Sequence, residues 1–195
     1  MNEKSHYEQI KEIKYKLRLA MNGEISQSMN EKGMQYQTNW GLTIPQLKEI
    51  ASGYSENFEL ASALWEEEVR ECKILSVMIQ PLSGFTPHMA DHRVRSVEYP
   101  DLVEILSFFL FRRLSFASWI SFKWIADEDD LIQYCGYLTL AHLFRNRLPI
   151  SENYLEEFKN HAATAIAGGS FLPKQGAIKA LESYEHNYGV ILTLR

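Results

Sequence analysis

Apolar residues recur at three- and four-residue steps through most of this chain, and strict alternation is nowhere sustained. Tyr7, Ile10, Ile13, Leu17 and Ala20 set the pattern, which predicts an amphipathic helix over residues 4–21. The loop-like Asn22–Glu24 follows, then a short helix over 25–33. Thr43 is placed to cap IPQLKEIASGY, where Pro45 fits the first turn, and Asn57 to cap FELASALWEEE. Residues 68–80 read as a strongly apolar helix ended by Pro81 and Gly84, and 88–97 as a short one. Pro100 opens a helix to about Leu114, Ser115 a second to about Ala126, and Asp127 caps a third through Asn146. Ser151 starts the next, to Ala167; Gly168-Gly169-Ser170 breaks it, and Pro173 opens a last helix to about His186. About nine to eleven helices joined by brief turns predict an all-α chain, an alpha-alpha superhelix of degenerate repeats.

The densest apolar passage, LSFFLFRRLSFASWISFKW (Leu106–Trp124), holds five Phe and two Trp in nineteen residues. A membrane-spanning helix needs about 20 predominantly apolar residues, and Arg112, Arg113 and Lys123 interrupt this one. It is therefore expected to be two central helices. In the first, Leu102, Ile105, Leu106, Phe109 and Leu110 line one face, thickened by Phe108 and Phe111. In the second, Phe116, Trp119, Ile120 and Trp124 follow the same rule.

Composition adds limits. An apolar fraction of 46% with 23% charge is that of a globular protein, and a net charge of −5 gives no global attraction to polyanions. Binding to nucleic acid would need a local basic face. Cys72 and Cys135 are the only cysteines, and the charged start lacks the apolar core of a secretory signal. Both points predict a cytoplasmic protein without disulfides, its thiols buried as small apolar residues.

Standard catalytic and cofactor motifs are missing, so no cofactor is expected. His88, Asp91 and His92 have helical spacing for a metal, yet no third clear ligand lies nearby, and no metal site is assigned. The acidic runs Glu66–Glu68 and Asp127–Asp130 read as a solvated junction and a capped helix start. The turn Gly168–Lys174 could offer free N–H groups and a lysine to an anion. Arg112, Arg113, Arg145 and Arg147 close helix C-termini, where the dipole favours cations.

Three segments, YQTNWGLTIPQLKEIA (Tyr36–Ala51), LASALWEEEVRECKILSVMI (Leu60–Ile79) and FLPKQGAIKALESY (Phe171–Tyr184), in that order and spacing, resemble the DNA alkylation-repair glycosylases of the AlkD type, which are built from HEAT-like helical repeats. The similarity runs over roughly residues 8–186. It implies a single HEAT-like domain over 1–195, a C-shaped solenoid cradling DNA on a basic concave face. It also implies excision of cationic alkylated purines by an Asp that stabilises the developing sugar cation beside two Trp. The family's Trp-x-x-x-Asp falls here on Val103 and Ser107, and its later Trp and Arg on Lys179 and Glu182. A slipped register instead brings in Glu104, or Asp101 at the helix start.

The expectation is a DNA-binding relative that has lost base excision, with Arg145, Arg147, Lys174 and Lys179 contacting phosphates. Two alternatives stand beside it. One is an active glycosylase that uses Glu104 or Asp101. The other is a HEAT-type scaffold for a protein partner.

Overall fold

The computed structural model describes residues 5–147 and 149–192. Among them the chain is all-α, with eleven α-helices and no strand beyond one isolated bridge, Thr38 to Val69. It packs as two compact units, divided between Gly84 and Phe85. None of the helices is long and apolar enough to cross a membrane.

The first unit holds α1 (His6–Leu19), α2 (Gly23–Glu31), α3 (Ile44–Ser52), α4 (Phe58–Trp65) and α5 (Arg70–Ile79). Each start has a local cause. Ser5 and Glu8 cap one another's backbone at α1, and the Asn22 carboxamide accepts from Ile25 N–H at α2. Thr43 N–H donates to Gln46, and Asn57 accepts from Leu60 N–H. The apolar stripe is buried as its spacing predicts: Ile13 and Leu17, one turn apart on α1, are wholly enclosed with Leu47, Leu64, Ile74 and Val77. α4 stops at Trp65, short of the acidic run, and Glu67 pairs with Lys14 at 2.6 Å.

One carboxylate of this unit lies in the core. Glu71, in the first turn of α5, is wholly buried and accepts backbone N–H groups from Trp40 (3.1 Å), Gly41 (3.0 Å) and Leu42 (3.3 Å). Arg70 donates to the same carboxylate. Gly41 has φ +73°, and a Cβ there would stand 2.2 Å from the Asn22 carbonyl oxygen, so only glycine fits. Two of the motifs that carry the resemblance are thus one device: the glycine of the first presents its N–H to the glutamate of the second.

The second unit holds α6 (Pro87–Arg95), α7 (Pro100–Ile105), α8 (Ala117–Ile125), α9 (Asp130–Arg145), α10 (Glu152–Ala167) and α11 (Phe171–Tyr188). α9 is its axis, apolar on most sides and packed by α8, α7 and α11. α11 crosses it closely because Gly176 has no side chain: a Cβ there would lie 2.9 Å from Tyr137 Cβ and 3.0 Å from the Tyr134 ring. Phe144 is wedged among Phe158, Tyr184 and Tyr188, which ties α10 and α11 to the end of α9.

Three expectations change here. The helix predicted over Pro100–Leu114 is regular only to Ile105; it then runs through a π-helical turn (Leu106–Leu110) and a 3-10 turn (Phe111–Arg113). Through these turns Leu106, Ser107, Leu110 and Phe111 face inward at the three- and four-residue steps of one helical stripe, while Phe108 is turned out. Trp119, expected on the buried face of α8, is 55% exposed, because the small residues Ala117 and Ser121 let the helix pack on another face. The cap of α9 is Asp129, which accepts from Leu131 and Ile132, and not Asp127. Asp127 pairs with Arg95 instead.

Candidate functional site

The outer side of α7 and its π turn, with α9 and α11, gathers the polar chemistry of the second unit. Val103 and Ser107 are wholly buried, and Ser107 Oγ donates to the Glu104 carbonyl at 3.0 Å. In this register the position matched to the family's carboxylate faces the core. The pair one residue along, Glu104 and Phe108, is the exposed one. Asp101 sits half-buried in the first turn of α7.

Glu104 is engaged. The Tyr134 hydroxyl donates to it at 2.7 Å, Lys179 Nζ donates to the same hydroxyl at 3.2 Å, and Lys179 lies 3.8 Å from the carboxylate. Burial, then the neighbouring Glu104, push the Tyr134 phenol above its ordinary pKa, so it stays protonated as the donor. Carboxylate, phenol and ammonium form a closed chain in which the negative charge is already matched. Lys179 is its cation, and Glu182 is exposed one turn further along α11.

Beside this chain the field is positive. His142 of α9 is held neutral, its pKa lowered to about 4 by burial first and then by Arg145, Arg112 and Lys179. Three cations from three segments therefore act on one imidazole. Arg112 also stacks its guanidinium over the Phe108 ring, 4.1 Å from the centroid, and its Nε is buried with no hydrogen-bond partner among the described residues. His142 meets the edge of the same ring at 5.3 Å. Arg112 read from sequence as a helix end, and Tyr134 and His142 carried no signature. Their one sequence signal is the spacing of Tyr134, His142 and Arg145, which keeps polar groups near one stripe of an otherwise apolar helix.

Of the predicted phosphate contacts, Arg145 and Lys179 belong to this group. Arg147, at φ 52° just past α9, lies near Tyr188, and Lys174 is exposed in the first turn of α11. The Gly168–Ser170 turn lines a groove of about 310 Å³ whose wall includes Asp127 and Asp130, and Gly168 N–H is taken by the Thr164 carbonyl. That field opposes an anion. The thiols of Cys72 and Cys135 are buried, and burial pushes both pKa values up.

The His88–His92 segment forms α6, and its carboxylate is occupied. Asp91 accepts from Arg95 (3.0 Å), Lys123 (3.2 Å) and the Trp124 indole (3.0 Å), while both histidines point to solvent. No cluster of three or more metal-ligating side chains occurs among the described residues. Desolvation alone would raise the Asp91 pKa, but the hydrogen bonds from Arg95, Trp124 and Lys123 outweigh it and hold it at about 2. The stability this gives is complete above the unfolded value near ~3.9 and is lost as pH falls toward 2. Urea unfolding followed from pH 5 to pH 2 should therefore show a steep loss in the wild type. In Asp91→Asn the protein should be weaker at pH 7 and the slope shallower.

Residues 13–172 match the DNA alkylation repair enzyme family. The chain belongs to that family. Its fold is similar to a solved structure described as a new family of proteins related to the HEAT-like repeat DNA glycosylases with affinity for branched DNA structures. That match has a TM-score of 0.82 at 17% identity and covers 92% of this chain and 77% of the other. No curated protein matches the chain. As a DNA alkylation repair family member, it keeps the all-α HEAT-like fold. Ser107 on the inner side of the π turn is buried, and Glu104 on the outer side of α7 is engaged by Tyr134.

Proposed function

We propose that this member of the DNA alkylation repair family binds DNA through the face of Arg112, Arg145 and Lys179, and that base excision of the family type is lost. One observation carries the reading: in a protein whose net charge is −5, Arg112 on the Phe108 ring that meets His142, Arg145 on the helix of His142, and Lys179 bonded to Tyr134 of that helix bring three cations together. Such a local excess is what a phosphate backbone requires, since phosphate contacts supply most of the sequence-independent affinity. The family, and the affinity of the structurally similar protein for branched DNA, support the same partner. Arg147 and Lys174 are further phosphate contacts at the ends of α9 and α11.

Loss of excision follows from electrostatics. A glycosidic bond breaking toward a sugar cation needs an uncompensated anion beside it, and preorganised charge usually supplies most of the stabilisation in such catalysis. Glu104 is matched by Tyr134 and Lys179, and Ser107 offers no charge.

The test is a titration with duplex and branched DNA at several salt concentrations. Affinity should fall with salt at a logarithmic slope of about −0.9 per phosphate contacted. Lys179→Ala and Arg145→Ala should each reduce the slope by about one. Alkylated DNA should release no purine. Absence of salt-dependent binding would end the reading, and purine release that disappears in Glu104→Gln would replace it with an active enzyme.

A further inference from the structure

Resting on the DNA-binding reading, we infer that Phe108 and Arg112 form a stacking platform for one unpaired nucleobase, whose flanking phosphates are taken by Lys179 and Arg145. Phe108 sits in the π turn beside the wholly buried Ser107, yet is itself 37% exposed. Its ring is fixed in place: Phe109 meets it at 4.8 Å and 79°, and His142 at 5.3 Å and 71°, both edge-on. A ring held by two aromatic neighbours loses little freedom when a ligand arrives. Arg112 covers it at 4.1 Å, and the buried Nε lacks a hydrogen-bond partner among the described residues, so the guanidinium is positioned by stacking. A guanidinium plane lying on an aromatic ring is the kind of surface on which unstacked bases rest.

The geometry selects the form of DNA. In a continuous duplex the base faces are covered by their neighbours, and exposing one costs a few kcal/mol. At a gap or a branch point that face is already open. His142 packs against the Phe108 ring, Arg145 stands one turn further along α9, and Lys179 would exchange its exposed 3.8 Å pairing with Glu104 for a phosphate. Stacking of this kind is indifferent to base identity, because every base has a π face. The platform therefore discriminates structure and not sequence.

Fluorescence anisotropy at one low salt concentration, with a continuous duplex and the same duplex carrying a short single-stranded gap, tests this in the full chain. The wild type should prefer the gapped DNA by roughly tenfold, the ratio that about 1.4 kcal/mol of stacking gives. Phe108→Ala should lose the preference while keeping the duplex affinity, and Arg112→Lys, which retains the charge and lacks the plane, should lose more affinity for the gapped DNA than for the duplex. Lys179→Ala should weaken both DNAs together. A 2-aminopurine placed in the gap should be quenched by the wild type and not by Phe108→Ala. Equal wild-type affinity for the two DNAs, or a preference that survives in Phe108→Ala with quenching intact, would overturn the platform and leave DNA binding standing. Loss of salt-dependent binding to both DNAs would overturn the two together.

Discussion

Glu71→Gln lowers the stability of the protein by about 3 kcal/mol, the scale of losing charge-assisted hydrogen bonds in a buried site. The reason is local. Two carboxylate oxygens accept the N–H groups of three consecutive residues, Trp40, Gly41 and Leu42, and the Arg70 guanidinium. A carboxamide replaces one acceptor with an NH2 group aimed at donors, in a place no water reaches. The charge also sits in the first turn of α5, where the dipole favours an anion. Denaturant unfolding should show the drop, and amide exchange should speed up first at Trp40, Gly41 and Leu42. Glu67→Gln is the control. Its partner Lys14 is partly exposed, and pairs of that kind contribute about 0–1 kcal/mol. A similar loss in both variants would show that charge removal in general, and not the loop clamp, sets the effect.

The same residue marks how far the sequence could be read. Helix starts were legible where their causes are local: Asn57 and Ser151 lie next to the N–H groups they serve, and Thr43 gives its own N–H to Gln46 three residues on. Glu71 was not, since a glutamate in EEEVRE has the pattern of a solvated face and its partners lie about 30 positions away. Its segment carries the resemblance, but nothing in that pattern sets Glu71 apart from its acidic neighbours. The π turn was equally hidden, because helical periodicity counts 3.6 residues per turn and an inserted residue is chosen by tertiary packing. Phe108 and Arg112 fall on the outer side of this segment at ordinary helical spacing, but their meeting with His142 of another helix is set by tertiary packing that spacing does not show.

This burial also governs any attempt to restore the chemistry. Ser107→Asp does not create a glycosylase; it destabilises the protein by about 3–5 kcal/mol, the cost of an uncompensated buried charge. Ser107 is wholly buried and directs its hydroxyl to the Glu104 carbonyl, an acceptor that a carboxylate cannot satisfy unless protonated. The new carboxyl would therefore have its pKa raised in the folded state. Its penalty is largest at neutral pH and shrinks as pH falls toward the unfolded value near ~3.9, so the deficit relative to wild type should narrow between pH 7 and pH 4. Unfolding measured at both pH values checks the sign, and Ser107→Asn, which can donate without a charge, should cost less. A stable Ser107→Asp that releases alkylated purine would show that the turn can rewind and carry residue 107 to the surface. Ser107 lies in the core, and the exposed side of the same helix is left to the engaged Glu104 and to Phe108 under Arg112.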